Sequence, residues 1–182
     1  MIKKIFLIIT SLFLLSGCGG EKYDCDTKDN AYTALLLAYE VYDADEKLIN
    51  DFNKNFESVA SYSPEFLKMD KKNKESYCRL NIKYNLNAKS ITEANKKRDA
   101  LIFVATAFLK AKANEKLAGY YFKTTQQAFN FLFQGVDFSD NSSENLKKYN
   151  DIINKSEFNS DTSYDYKAYD NGRGKIYIEI KE

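Results

Sequence analysis

From Ser76 to Leu86 the chain alternates with a period of two. Cys78, Leu80, Ile82, Tyr84 and Leu86 fall on one side, and Arg79, Asn81, Lys83 and Asn85 on the other. Only an extended strand sorts side chains this way, with one face covered and one face wet. The C-terminus repeats the pattern as a hairpin. Thr162, Tyr164, Tyr166 and Ala168 alternate with polar residues. The run Asp170-Asn171-Gly172-Arg173-Gly174 forms a turn, and Ile176, Ile178 and Ile180 then alternate against Tyr177, Glu179 and Lys181. A looser alternation from Phe56 to Met69 contains the only proline, Pro64, and reads as an edge strand. Asp70 to Lys74 is the polar turn that follows it.

Helical spacing accounts for most of the rest. Asp26 or Thr27 caps a helix expected to run to about Phe52, with Ala31, Leu35, Ala38, Val41 or Tyr42, Leu48, Ile49 and Phe52 at recurring intervals. Asp43, Asp45 and Glu46 fall towards its solvent side. Ser90-Ile91-Thr92-Glu93 has the form of a capping box and opens a second long helix to about Leu117, with Gly119 as its stop. Thr124 with Gln127 opens a shorter helix through Phe129, Leu132 and Phe133, ended by Gly135. The alternation of Phe129, Phe131 and Phe133 leaves a strand open over 124–134. Asp140 to Ser143 reads as a loop and cap before a helix through Leu146, Tyr149, Ile152 and Ile153. Two halves, 26–86 and 90–182, share the order of helix followed by two strands. The expected class is α+β: a small antiparallel sheet of about four strands packed on two long helices, with one or two short extra helices.

The first residues carry a different signal. Lys3 and Lys4 precede an apolar run from Ile5 to Leu15. That run is shorter than the roughly 20 residues a membrane helix needs. A positive start, a short apolar core and small residues before a cut describe a signal peptide. The run ends in Leu15-Ser16-Gly17-Cys18, which resembles the lipobox of bacterial lipoproteins. The resemblance covers this segment alone. It implies cleavage before Cys18, a diacylglycerol thioether on the Cys18 thiol and acylation of the new amino terminus. Two or three acyl chains make a durable anchor where one is marginal. The implied partner is the membrane, through lipid on Cys18. Gly19 stands where enterobacterial lipoproteins kept in the inner membrane have an aspartate, so the expected place is the outer membrane facing the periplasm in a Gram-negative cell. The expected organisation is a signal peptide over 1–17, a lipidated tether over 18–24 and one domain over 25–182. A tether that short reaches only about 20 Å, which keeps the domain close to the membrane.

Export sets the redox context. Once Cys18 is lipidated, Cys25 and Cys78 remain, and in an oxidising compartment they read as a disulfide. Cys25 precedes a helix and Cys78 lies on the apolar face of a strand. A redox or metal pair, without C-x-x-C spacing, and two free buried thiols are the other readings.

Composition narrows the chemistry. There is no histidine, which excludes Ser-His-Asp and Cys-His catalysis and every histidine metal site. No catalytic, cofactor-binding or metal-ligating residue stands out, and the expectation is a protein without cofactor that is not an enzyme. Asp137, Ser139 and Asn141 resemble the start of a calcium loop, but Ser142 and Lys148 occupy the positions that need glycine and glutamate. Without Lys3 and Lys4 the chain carries 25 basic and 26 acidic side chains, a formal charge of −1. No basic run points to nucleic acid or adds to the hold of a lipid on an anionic membrane. Fourteen tyrosines and 13 phenylalanines, without tryptophan, supply a core and its rim, and tyrosine is favoured at binding surfaces.

Three functions follow in order. The first is a non-enzymatic binding module at the cell envelope, of inhibitory or immunity type, with a protein partner. Its sign is an aromatic surface or a protruding loop. The second is a structural accessory subunit of a secretion, pilus or envelope-assembly machine. Its sign is an exposed apolar patch or an unpaired sheet edge, with Lys175 to Lys181 as the candidate edge. The third is an enzyme acting on glycans through two carboxylates in a cleft.

Overall fold

The computed structural model describes residues 23–112, 115–156, 160–173 and 175–181. The expected signal peptide, Cys18 and most of the expected tether lie outside them. The described elements run α1 (Lys28–Ala38), α2 (Glu46–Val59), β1 (Ala60–Asp70), β2 (Glu75–Tyr84), α3 (Ile91–Lys112), α4 (Glu115–Leu132), α5 (Ser143–Lys155), β3 (Thr162–Asp170) and β4 (Ile176–Ile180). The class is α+β. One four-stranded sheet has the order β1-β2-β3-β4, and every neighbouring pair is antiparallel. Each half of the chain ends in a hairpin, and the two hairpins join where β2 meets β3. Pro64 sits on β1 at the sheet edge, where its missing N–H costs no ladder bond.

The alternation near residue 76 does what its pattern requires. Ser76, Cys78, Leu80 and Ile82 are buried, while Tyr77, Arg79 and Asn81 are half-buried. Opposite them on β3, Tyr166 and Ala168 are fully buried, and Ile176, Ile178 and Ile180 of β4 pack beside them. Helix α1 lies across this inner face and touches all four strands, and its Ala31, Ala34 and Leu35 are buried. Helix α2 adds Phe52, Phe56 and Val59 to the same core and packs against α3, which carries α4 and α5.

The single helix expected from 26 to 52 is two helices. Tyr39 caps the first, and Glu40 adopts a left-handed φ of 55° that turns the chain. The Val41 N–H returns to the Leu36 carbonyl at 2.9 Å, and Val41 is buried beneath the turn. Asp45 then caps α2 by accepting from the Leu48 N–H at 2.8 Å. Helix α2 runs on to Val59, so the strand expected from Phe56 starts at Ala60. Phe52 and Phe56 stand one helical turn apart and both are buried, which explains why helical spacing prevails there.

The cap at the start of α3 is made by Ser90, with the returning bond of Glu93 reaching one residue further back than a capping box requires. Ser90 Oγ accepts from the Glu93 N–H, and Glu93 accepts from the Lys89 N–H. Helix α3 ends at Lys112 rather than near Leu117. Gly119 lies inside α4 rather than stopping a helix. Thr124 does not cap: its hydroxyl donates back to the Tyr120 carbonyl at 3.0 Å. Residues 124–132 are helical because Phe129 and Phe133, four apart, bury together while Phe131 stays 78% exposed. Phe133 then stacks on Tyr149 of α5, at 5.2 Å between ring centroids. Gly135, with φ 92°, makes the turn that follows.

Candidate functional site: the open face of the sheet

The chain from Tyr23 to Cys25 is bound to the sheet. Cys25 and Cys78 are disulfide-bonded, with a Cα separation of 5.9 Å across 53 positions of sequence. The Ser76 hydroxyl accepts from the Cys25 N–H at 2.9 Å and donates to the Tyr23 carbonyl. The Tyr166 hydroxyl donates to the Cys25 carbonyl at 2.6 Å. Tyr23 is itself buried. Tyr23, which the expected organisation gives to the tether, is therefore held against the sheet.

The opposite face of the sheet is open. Its centre is a ladder of charged and aromatic groups. Arg79 Nε donates to Asp165 at 2.8 Å, and Lys167 pairs with Glu179 at 3.1 Å. Glu65 of β1 accepts from the Asn81 amide at 3.1 Å. Three tyrosines line the face towards the hairpin turns. Tyr169 and Tyr177 stack at 5.7 Å between centroids. Tyr77 lies between two ammonium groups, Lys68 at 4.7 Å and Lys181 at 4.2 Å. Its hydroxyl donates to Glu75 at 2.6 Å. Cations over an aromatic ring are held by the ring quadrupole and fix its orientation. The outcome is a flat surface of rigid rings and paired charges that offers donors and acceptors of both signs.

The charge pairs set the local electrostatics. The Arg79 guanidinium holds the Asp165 carboxyl below its ordinary range through its hydrogen bond, and Asp165 raises Arg79 in return. The Tyr77 hydroxyl is pushed up by its bond to Glu75. Asp70, Glu93, Asp137 and Asp151 are also displaced downward, each first of all by a hydrogen bond it accepts. A glycosidase acid needs the reverse displacement.

Other surfaces compete less well as a site. A cleft of about 250 Å³ between α1, α2 and β1 is lined by Tyr32, Asn53, Phe56 and Tyr62, and Asn53 donates to the Tyr32 hydroxyl at 2.6 Å. A wider groove of about 610 Å³ between α2, α3 and α4 has Phe103 and Phe122 in its floor, with Lys110 4.1 Å above the Phe103 ring. Helix α4 turns Tyr120, 67% exposed, and Phe131 to solvent on one stripe. Asp137 and Asp140 spend their carboxylates on turn hydrogen bonds to Ser139 and Ser142. Among the described residues no group of three acidic, histidine or cysteine side chains could hold a metal ion.

Of the residues singled out in sequence, Cys25 and Cys78 are brought together, and Cys18 lies outside the described residues. Tyr77 and Tyr169 were not singled out at all. The signal for them was the alternation itself, since a residue between Ser76 and Cys78 must share a face with Arg79. No helix among the described residues is long and apolar enough to cross a membrane. Comparison with protein-family models, with curated proteins and with solved structures gave no match.

Proposed function

We propose that this chain is a lipid-anchored protein of the cell envelope that works by binding another protein and performs no chemistry of its own. The anchor reading rests on the lipobox and Cys18. The binding reading rests on one observation: the open sheet face, where Tyr77, Tyr169 and Tyr177 lie among paired charges. Tyrosines with few rotatable bonds present contact area at low entropic cost. Such a surface suits an inhibitor or immunity protein that meets its target at the membrane. A photo-cross-linker placed at Ser163 or Glu179 in cells tests it. One stoichiometric protein adduct is expected from those positions and none from Lys147 on α5. Adducts at background level from both sheet positions would rule the open face out.

A second reading, an accessory subunit of an envelope machine, is favoured by the exposed aromatic stripe of α4. Cross-linking from Thr124 or Gln127, between Tyr120 and Phe131, to a neighbouring subunit would support it instead.

A further inference from the structure

Lys68, Lys71, Lys72 and Lys74 lie within seven residues of sequence, and the sheet register brings Arg173 and Lys175 beside them. Glu75 pairs with Tyr169, and Asp70 pairs with Glu75, so the β1–β2 and β3–β4 turns share one end of the sheet. The Asp170 N–H donates to the Lys74 carbonyl at 3.2 Å and ties the turns together. Six basic side chains collect there: Lys68, Lys71, Lys72, Lys74, Arg173 and Lys175, and all are exposed. Three acids accompany them, which leaves the end with a formal charge of +3. Each acid accepts a local hydrogen bond, Asp70 and Asp170 from the turns and Glu75 on the open face. Asp70 accepts from the Lys72 and Asn73 backbone N–H groups, Asp170 from the Gly172 N–H, and Glu75 from the Tyr77 hydroxyl. Lys74 also reaches Asp170 at 3.9 Å and Lys68 lies over the Tyr77 ring, while Lys71, Lys72, Arg173 and Lys175 are exposed at the turns.

The tether leaves from the same end. Tyr23 is held by Ser76, the second residue of β2, two positions from the Lys71–Lys74 turn. From the Cα of Cys18 to that of Tyr23 the chain spans at most about 18 Å. The strands are much longer: the eleven residues of β1, Ala60 to Asp70, rise about 33 Å. A lipid on Cys18 therefore holds the turn end near the bilayer and leaves the other end free to stand away.

We propose that this double-turn end docks on anionic phospholipid headgroups, so that the strands stand off the membrane and the open sheet face looks sideways along it. The proposal rests on lipidation of Cys18. Basic side chains near an anionic surface each strengthen attachment about fivefold, and the effect decays within a Debye length of about 10 Å.

The test uses the lipidated protein in vesicles of phosphatidylcholine, with and without phosphatidylglycerol, and reads lysine acetylation rates by mass spectrometry. Lys71, Lys72, Lys74 and Lys175 are expected to react several-fold more slowly on the anionic vesicles, with high salt removing the difference. Lys54, Lys147 and Lys148 are expected to keep their rates. Equal rates for the turn lysines on both vesicles overturn the proposal, as does protection centred on Lys54, Lys96 and Lys110. Protection of the turns on intact cells but not on vesicles assigns them to another polyanion and also overturns it. Protein that fails to float with either vesicle has no anchor, and that result falls on the lipoprotein reading instead.

Discussion

The two faces of the sheet are cut from the same strands and differ in what holds them. On the inner face, Cys78, Leu80, Ile82 and Tyr166 are wholly removed from solvent and meet α1, α2 and the Tyr23–Cys25 segment. On the outer face, Arg79 and Asp165 meet each other while both remain about two-fifths exposed. Apolar burial is worth roughly 25 cal/mol per Å², whereas exposed ion pairs contribute little because water and salt screen them. Alternate positions of one strand thus separate stability from recognition. Substitutions on one face should unfold the protein, and those on the other should leave it folded but alter what it binds.

The largest expected effect is on the inner face. Opening the Cys25–Cys78 bond, which closes 53 residues, should lower stability by about 4 kcal/mol in the chain-entropy description. Denaturant unfolding with and without reductant measures it, and identical midpoints would break the comparison. Leu80→Ala should cost about 3 kcal/mol, because a fully buried leucine leaves a cavity. A loss below about 1 kcal/mol would mean the inner face is not the core. Asp45→Ala should cost about 1 kcal/mol by removing the cap on α2.

Smaller effects sharpen the comparison. Hydrogen bonding to the Lys89 N–H, then Lys97, lowers the Glu93 carboxyl. A folded value below the unfolded one gives stability that is complete above the ordinary carboxylate range and is lost as pH falls through the lowered value. Thermal melts from neutral to acid pH should therefore show Glu93→Gln destabilised near neutrality and converging on the parent at low pH. A constant gap would contradict the assignment. The smallest effect on stability should come from Arg79→Gln. Its melting temperature should match the parent while cross-linking from Ser163 falls, and a large fall in melting temperature would mean the outer face is structural.

Strands were legible in the sequence where burial is one-sided. The residues of β2 and the C-terminal hairpin declare their faces by alternation, and Cys78 showed which side met Cys25. Helix boundaries were less legible. Asp43, Asp45 and Glu46 look like a solvated helical face, but Asp45 is a cap, and the left-handed turn at Glu40 has no glycine to announce it. Gly119 suggested a stop, yet nothing crowds it inside α4. The outer tyrosines were hidden because Tyr77, Tyr169 and Tyr177 come from three strands and meet only through register. The basic end was legible only in part: Lys68 to Lys74 are neighbours in sequence, but about 100 positions separate Lys72 from Arg173.

Everything assigned to the membrane depends on Cys18, and its chemistry can be read directly. Intact and peptide mass spectrometry of the protein from the membrane fraction, beside a Cys18→Ala variant, is the most direct measurement. A mature chain beginning at Cys18 with diacylglycerol on sulfur and acyl on nitrogen is expected, with Cys18→Ala left uncleaved or soluble. An unmodified Cys18, or a Cys18→Ala protein still processed and fully membrane-bound, would contradict it.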